Sequence, residues 1–333
     1  MKKVLSLILA LAMVFALAAC GEKQPSNDGN TDGDKPTRGN VIMTFGTADT
    51  GGSMYPAGAA VSQVWTNNVQ GVKCNTQTST GSFQNCQDVA SGEVDVAVAT
   101  SDVVLNAYNG TGKFADIGTL DNLRVIGAVY TSVLSGVALK SSGLTYIHEL
   151  LGKRVAVGPA ASATENATLA AFDVMGIDSS NTSLENLGLG DGADSVGDGI
   201  LDAAFGFAGL PIGGQLNLAA TKEIQVLDMT QEEIDKVLAG NAAYIQTKIP
   251  AGTYTGQDND ANTFGVKCLI IVTADMDADL VYDLCKAMNE HTEEMAAGNA
   301  LLKDMTDPSF LCTQMPIPLH DGAQKYYSEQ GLI

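Results

Sequence analysis

The chain has 333 residues, with 18 Lys and Arg set against 38 Asp and Glu, for a formal net charge of -20 at pH 7. A surface this acidic repels nucleic acid and anionic headgroups, so neither is an expected partner. The six cysteines include no Cys-x-x-Cys pair and no neighbouring histidine, which argues against metal and dithiol redox chemistry.

In chain order, Lys2 and Lys3 precede an apolar run from Val4 to Ala19 that ends Leu17-Ala-Ala-Cys20-Gly21. A basic start, an apolar middle and small residues before a cysteine are expected of a bacterial lipoprotein signal, residues 1–19, with Cys20 as the lipidated first residue. The run is short for a membrane span. Residues 20–40 carry no large apolar side chain, so a flexible tether is expected there. The folded part then begins at Val41, and its length suits two lobes better than one.

Val41 to Phe45 reads as a buried strand, followed by Gly46-Thr-Ala-Asp-Thr-Gly-Gly-Ser-Met-Tyr-Pro-Ala-Gly58 and a helix over Ala59 to Asn67. A glycine-rich turn at a helix start aims unpaired N–H groups and a positive dipole end at one spot, so a small anion is the natural guest. Gly46, Gly51 and Ser53 fit a phosphate loop except at its lysine, which here is Gly52, and Asp49 disfavours a polyanion. A carboxylate fits the amides of Gly51, Gly52 and Ser53 and the Tyr55 phenol better.

The same pattern repeats. A strand over Val72 to Thr78 leads through Thr78-Ser-Thr-Gly-Ser82 into a helix, and a strand over Gly92 to Ala99 ends at Thr100-Ser101-Asp102 and another helix. In an open parallel sheet such turns lie at the carboxyl ends of the strands, where ligands bind. Ser82, Thr100 and Ser101 read as contacts or equally as helix caps. Leu123 to Tyr130 and Leu134 to Lys140 read as two further strands, and Leu144 to Leu151 as a short helix. Arg154 to Gly158 is a strand that delivers Ser162 and Thr164 to a helix start, so the second half repeats the plan of the first.

Thr182 to Leu187 is a strand. Gly188-Leu-Gly-Asp-Gly-Ala193 matches a dinucleotide fingerprint, but Asp191, Asp194 and Asp198 crowd it with negative charge. With Asp202 they lack EF-hand spacing, which leaves a solvated acidic helix in place of a calcium loop. Leu201 to Phe207 is a strand entering a helix near Pro211. Ile224 to Asp228, Ala242 to Lys248 and Phe264 to Thr273 are later strands, and helices over Asp277 to His291, around Ala300 and after Asp321 close the chain.

The blocks Gly46-Thr-x-x-Thr-Gly-Gly-Ser-Met-Tyr-Pro-x-Gly58, Ser79-Thr-Gly-Ser82 with Asn85, Ser91-Gly-Glu-Val-Asp-Val-Ala97, Ser101-Asp102, Asp198-Gly-x-x-Asp-Ala-x-Phe205, Gly209-x-Pro211 and His320-x-Gly-Ala-x-Lys-Tyr-Tyr327 resemble the TAXI family. These are solute receptors of tripartite ATP-independent periplasmic (TRAP) transporters. The resemblance spans Val41 to the end. It implies an α/β, two-lobe periplasmic-binding-protein (type II-like) fold with two interlobe crossings, residues 41–132 with 264–333 forming one lobe and 133–263 the other. It also implies a small organic acid or amino acid such as glutamate as ligand, and a membrane permease as partner. No cofactor or metal is expected, and a monomer is. The sequence departs from the family at Pro159-Ala-Ala-Ser-Ala-Thr164 and at Thr100, where a glutamine is frequent.

Arg38, Arg124 and Arg154 are the only arginines, one in the tether and two at strand starts, so a guanidinium clamp is not expected. The expected site is the amides of Gly51, Gly52 and Ser53 with Tyr55, completed by Ser82, Asn85, Thr100 and Ser101 and closed by Ser162, Thr164, Phe205 and Gly206. Asp202 is a candidate for an ammonium group, or a helix cap. The competing reading is an exported lipoprotein hydrolase. It would need a base from His148, His291 or His320, and no serine stands in Gly-x-Ser-x-Gly.

Overall fold

The computed structural model describes residues 39–50 and 52–333; the signal and Cys20, the tether to residue 38, and Gly51 lie outside the described residues. Alternation in β1 (Val41–Gly46) buries Met43 and Phe45. Parallel partners flank it, β2 (Val72–Gln77) and β3 (Val96–Thr100), and all five residues of β3 are buried. Helix α1 (Met54–Asn68) starts five residues earlier than its apolar periodicity indicates. Pro56 fits because it stands in the first turn, where an amide has no intrahelical acceptor. A methyl group at Gly58 would come within 2.5 Å of Thr47 Cγ2, so glycine is what lets the helix press onto the loop.

Trp65 of α1 stacks on Phe45 at 5.5 Å, and its indole N–H donates to Leu284 O, 3.0 Å away on α8 (Ala278–Glu290). Trp65 is fully buried. A side chain of this size removes on the order of 200 Å² from water, about 5 kcal/mol, and fixes α1 and hence the loop that leads into it.

Two long strands carry the chain between the halves of the sheet. β4 (Leu123–Leu139) runs unbroken for 17 residues, in place of the two strands expected. Thr131-Ser132-Val133 contains no turn former, and its antiparallel pairing with β10 (Ala261–Thr273) continues through Val133↔Gly265, so no turn breaks the strand there; the ladder's two register shifts fall earlier along β4, opposite Cys268/Leu269 and Ile270/Ile271. The sheet order is β2-β1-β3-β10-β4-β7-β5-β6, with β7 (Ala203–Ala208), β5 (Arg154–Ala156) and β6 (Ser183–Glu185) forming the far half. β8 (Ile224–Val226) pairs with the end of β4, and β9 (Ile245–Ile249) with the start of β10. The result is an α/β plan, a mixed sheet whose two halves are joined at a waist by the long strands β4 and β10, each crossing from one half to the other. One buried cluster joins Val104 of α3 (Ser101–Asn109), Leu134 of β4 and Phe172 of α4 (Ala163–Val174).

Candidate ligand-binding cleft

Strand ends and helix starts converge at the waist. The starts of α1, of α2 (Ser82–Ser91) and of α4 face a cavity of about 60 Å³. Ala48, Asp49, Gly52 to Met54 and Thr80 to Ser82 contribute from one half, and Pro159, Ser162 to Thr164, Leu189, Phe207 and Ala208 from the other. Tyr130 of β4 lies between them. A water needs about 10–15 Å³ in such a measure, so the space as it stands matches roughly four to six waters, or a small charged head group. Among the described residues, Asp49 is the one charged side chain lining it. Arg124 donates to the carbonyls of Asp121 and Leu123, and Arg154 is held by Asp202, so neither reaches the cavity.

Of the residues expected from the sequence, Gly52, Ser53, Ser82, Ser162 and Thr164 line this space. Several of their polar groups already have partners. Gly52 N donates to Asp49 O at 3.1 Å, closing the turn on itself. Ser53 Oγ donates across the cleft to Gly209 O at 3.2 Å. Ser82 Oγ accepts from the Thr100 amide (3.0 Å) and hydroxyl (3.3 Å), so Thr100 braces Ser82 from behind and stays out of the cavity. Ser162 caps α4, its Oγ accepting from Glu165 N, and Thr164 Oγ1 accepts from Phe207 N at 3.1 Å. First-turn amides of α1, α2 and α4 have no acceptor within their own helices, apart from Glu165 N, which Ser162 caps.

Other expectations need correction. Tyr55 is half-buried and does not line the cavity; α1 begins one residue before it, and Met54 takes that place. Asn85 is buried behind the site, its Nδ2 donating to Thr47 O (2.6 Å) and Val98 O (2.7 Å) and its Oδ1 accepting from Ser79 Oγ (2.6 Å). It ties the ends of β1 and β3 together. Ser101 is buried and lines a second cavity at the waist with Leu105, Lys267 and Pro316. Phe205 packs edge-on against Phe172 at 5.4 Å, and Gly206 lies under Ile212. Strand β7 ends at Ala208, so Phe207 and Ala208 reach the cleft where Phe205 and Gly206 were expected. Asp202 stands at the opposite end of β7, where Arg154 holds it through Nε (3.1 Å) and Nη2 (2.9 Å). Those bonds keep its carboxyl below the usual range, and it is unavailable to an ammonium group.

Tyr130 and Leu189 escaped the sequence reading. Nothing local marks Tyr130, because only the unbroken course of β4 carries it to the waist; burial pushes its phenol well above 10, so it stays a neutral donor. Leu189 opens α5 (Leu189–Gly197) from the glycine-rich segment and brings it to the cleft. His148 and His291 pair with Glu233 and Glu294, and His320 Nδ1 accepts from Gly322 N at the start of α11 (Asp321–Glu329), all away from the cavity. Among the described residues, Cys74, Cys86, Cys268, Cys285 and Cys312 are buried free thiols.

The family model described as NMT1-like matches residues 45–331. This chain belongs to the NMT1-like family. Among solved structures, this NMT1-like protein is similar to the alkanesulfonate-binding protein SsuA from Xanthomonas axonopodis pv. citri bound to MOPS, at 14% identity and a TM-score of 0.48 over 87% of this chain and 84% of that one. It is similar also to a putative L-cystine ABC transporter protein from Listeria monocytogenes (16% identity, TM-score 0.45, 80% and 94% covered). A third is protein AF1704 from Archaeoglobus fulgidus (12% identity, TM-score 0.48, 88% and 98% covered).

Proposed function

We propose that this NMT1-like protein is an extracytoplasmic solute receptor that captures a small carboxylate or amino acid, glutamate-like in size, and delivers it to a TRAP permease. In this reading residues 41–132 with 264–333 form one lobe, 133–263 form the other, and a lipid on Cys20 holds the receptor at the membrane. The observation that carries it is a single cavity walled by helix starts from both halves and lined, among the described residues, by no Lys, Arg or His. Main-chain amides of α1, α2 and α4 then serve the carboxylate in place of a cationic side chain. Each half supplies part of the wall, so a guest gains contacts only when both halves meet it, and that differential is what drives closure.

The hydrolase alternative needs a serine beside a base. The cavity serines Ser53, Ser82 and Ser162 bond to main chain or to Thr100, and the three histidines lie elsewhere. A thermal-shift screen of the full chain against amino acids, dicarboxylates, keto acids and alkanesulfonates tests the receptor. A cognate solute at one hundred times its Kd adds about 2.7 kcal/mol to stability and is recovered chemically unchanged. Turnover of the stabilising compound, or no shift with any member of the panel, refutes the reading.

A further inference from the structure

Asp102 belongs to neither the cavity nor any ion pair, yet it is completely buried. It sits in the first turn of α3, on the half formed by β1 to β3. Both side chains that donate to its Oδ2 come from the other half. Asn166 Nδ2 on α4 donates to Asp102 Oδ2 at 2.8 Å, and the Tyr244 hydroxyl donates to the same oxygen at 3.2 Å. Tyr244 is itself fixed by its ring, 4.8 Å from that of Phe264 on β10. Oδ1 lies near the Thr100 hydroxyl and the Val103 amide without a well-formed hydrogen bond.

The titratable groups around it supply no compensating charge. Tyr244, Cys86 and Cys268 are all kept neutral by burial, which raises their pKa values, with Asp102 adding to each. Lys113 is paired with Glu165, the neighbour of Asn166. Lys267, at the cavity that Ser101 lines, gives its ammonium hydrogens to the carbonyls of Phe310 and Thr313.

We propose that Asp102, Asn166 and Tyr244 form a proton-dependent clasp between the lobes, so that closure takes up a proton onto Asp102 and the receptor closes more readily as pH falls. The proton comes from bulk water and binds Oδ1, the oxygen without a good donor, while Oδ2 continues to accept from Asn166 and Tyr244. Separation of the lobes would return the carboxyl to water and its ordinary pKa. Burial raises that pKa in the closed form, so between the two values the closed form holds the extra proton. Lowering pH through that window favours closure, and raising it favours opening. The inference rests on the two-lobe receptor reading, and it makes Asp102 a positioning residue that touches no ligand.

The test is the lobe-to-lobe distance in the solute-free full chain, measured by electron–electron resonance between spin labels at Asn67→Cys and Lys222→Cys, both exposed positions. The short-distance population is expected to rise between pH 8 and pH 5, by about tenfold in closed-to-open ratio for each unit separating the two acidities. Asp102→Asn mimics the protonated acid and is expected to stay at the short distance at both pH values. Tyr244→Phe and Asn166→Ala are expected to lower the closed population at both. A wild-type distribution that ignores pH, or an Asp102→Asn variant that keeps the wild-type response, overturns the clasp. A solute that raises the melting temperature while the distance ignores pH defeats the clasp and spares the receptor. A pH-dependent distance with no stabilising solute does the reverse.

Discussion

Asn85→Ala separates a scaffold from a ligand contact. The amide spends three hydrogen bonds within 2.6–2.7 Å on Thr47 O, Val98 O and Ser79 Oγ, all in a side chain with no exposure. At about 1 kcal/mol net for each bond the substitution costs about 3 kcal/mol. Thr47 O keeps the Ser79 hydroxyl as a donor at 2.8 Å, which holds the figure near that value. For a domain of this size a loss of that order lowers Tm by roughly 6–10 °C. Calorimetry or a dye-based melt without solute reads it directly, and affinity is then measured well below the transition. There it should weaken by less than tenfold, because the α1 and α2 starts remain in place. If instead Asn85→Ala melts within about 1 kcal/mol of the wild type and loses solute binding outright, the amide faces the guest and the reasoning fails.

At the waist, a methyl group at Gly265 would meet Ser132 O at 2.4 Å, so Gly265→Ala should force β10 and β4 apart and destabilise the protein by about 1–3 kcal/mol; an unchanged melt counts against the tight pairing drawn for these strands. Tyr55→Phe should leave solute affinity within about twofold by isothermal titration, since the phenol does not line the cavity, whereas Ser53→Pro should abolish binding by disrupting the start of α1. Asp202→Asn should leave affinity unchanged. Its carboxyl is depressed by Arg154, so the pair's stabilisation is present above the ordinary value of 3.8 and is lost as pH falls through the lower folded value, and the difference between variant and wild-type melts should shrink on acidification. Cys74, Cys86, Cys268, Cys285 and Cys312 should resist a thiol reagent in the native protein and react together once it unfolds; fast native labelling of any of them would show that its burial is wrong.

Local chemistry made much of this protein legible in its sequence. Apolar runs ending in Gly, Ser and Thr announced strands that deliver helix starts to one region, and the positions of Arg124 and Arg154 already argued against a guanidinium clamp. Those signals depend on neighbours within a few residues, so no tertiary contact is needed to read them. Which hydroxyls remain for a guest is a different kind of fact. It follows from pairings such as Thr164 with Phe207, Ser53 with Gly209 and Asp102 with Tyr244, between residues 43 to 156 positions apart. The unbroken course of β4 likewise required β10, from more than a hundred residues later, to pair across Thr131 to Val133. Hydrogen-bonding capacity is written residue by residue, but its partners are assigned only when the chain folds.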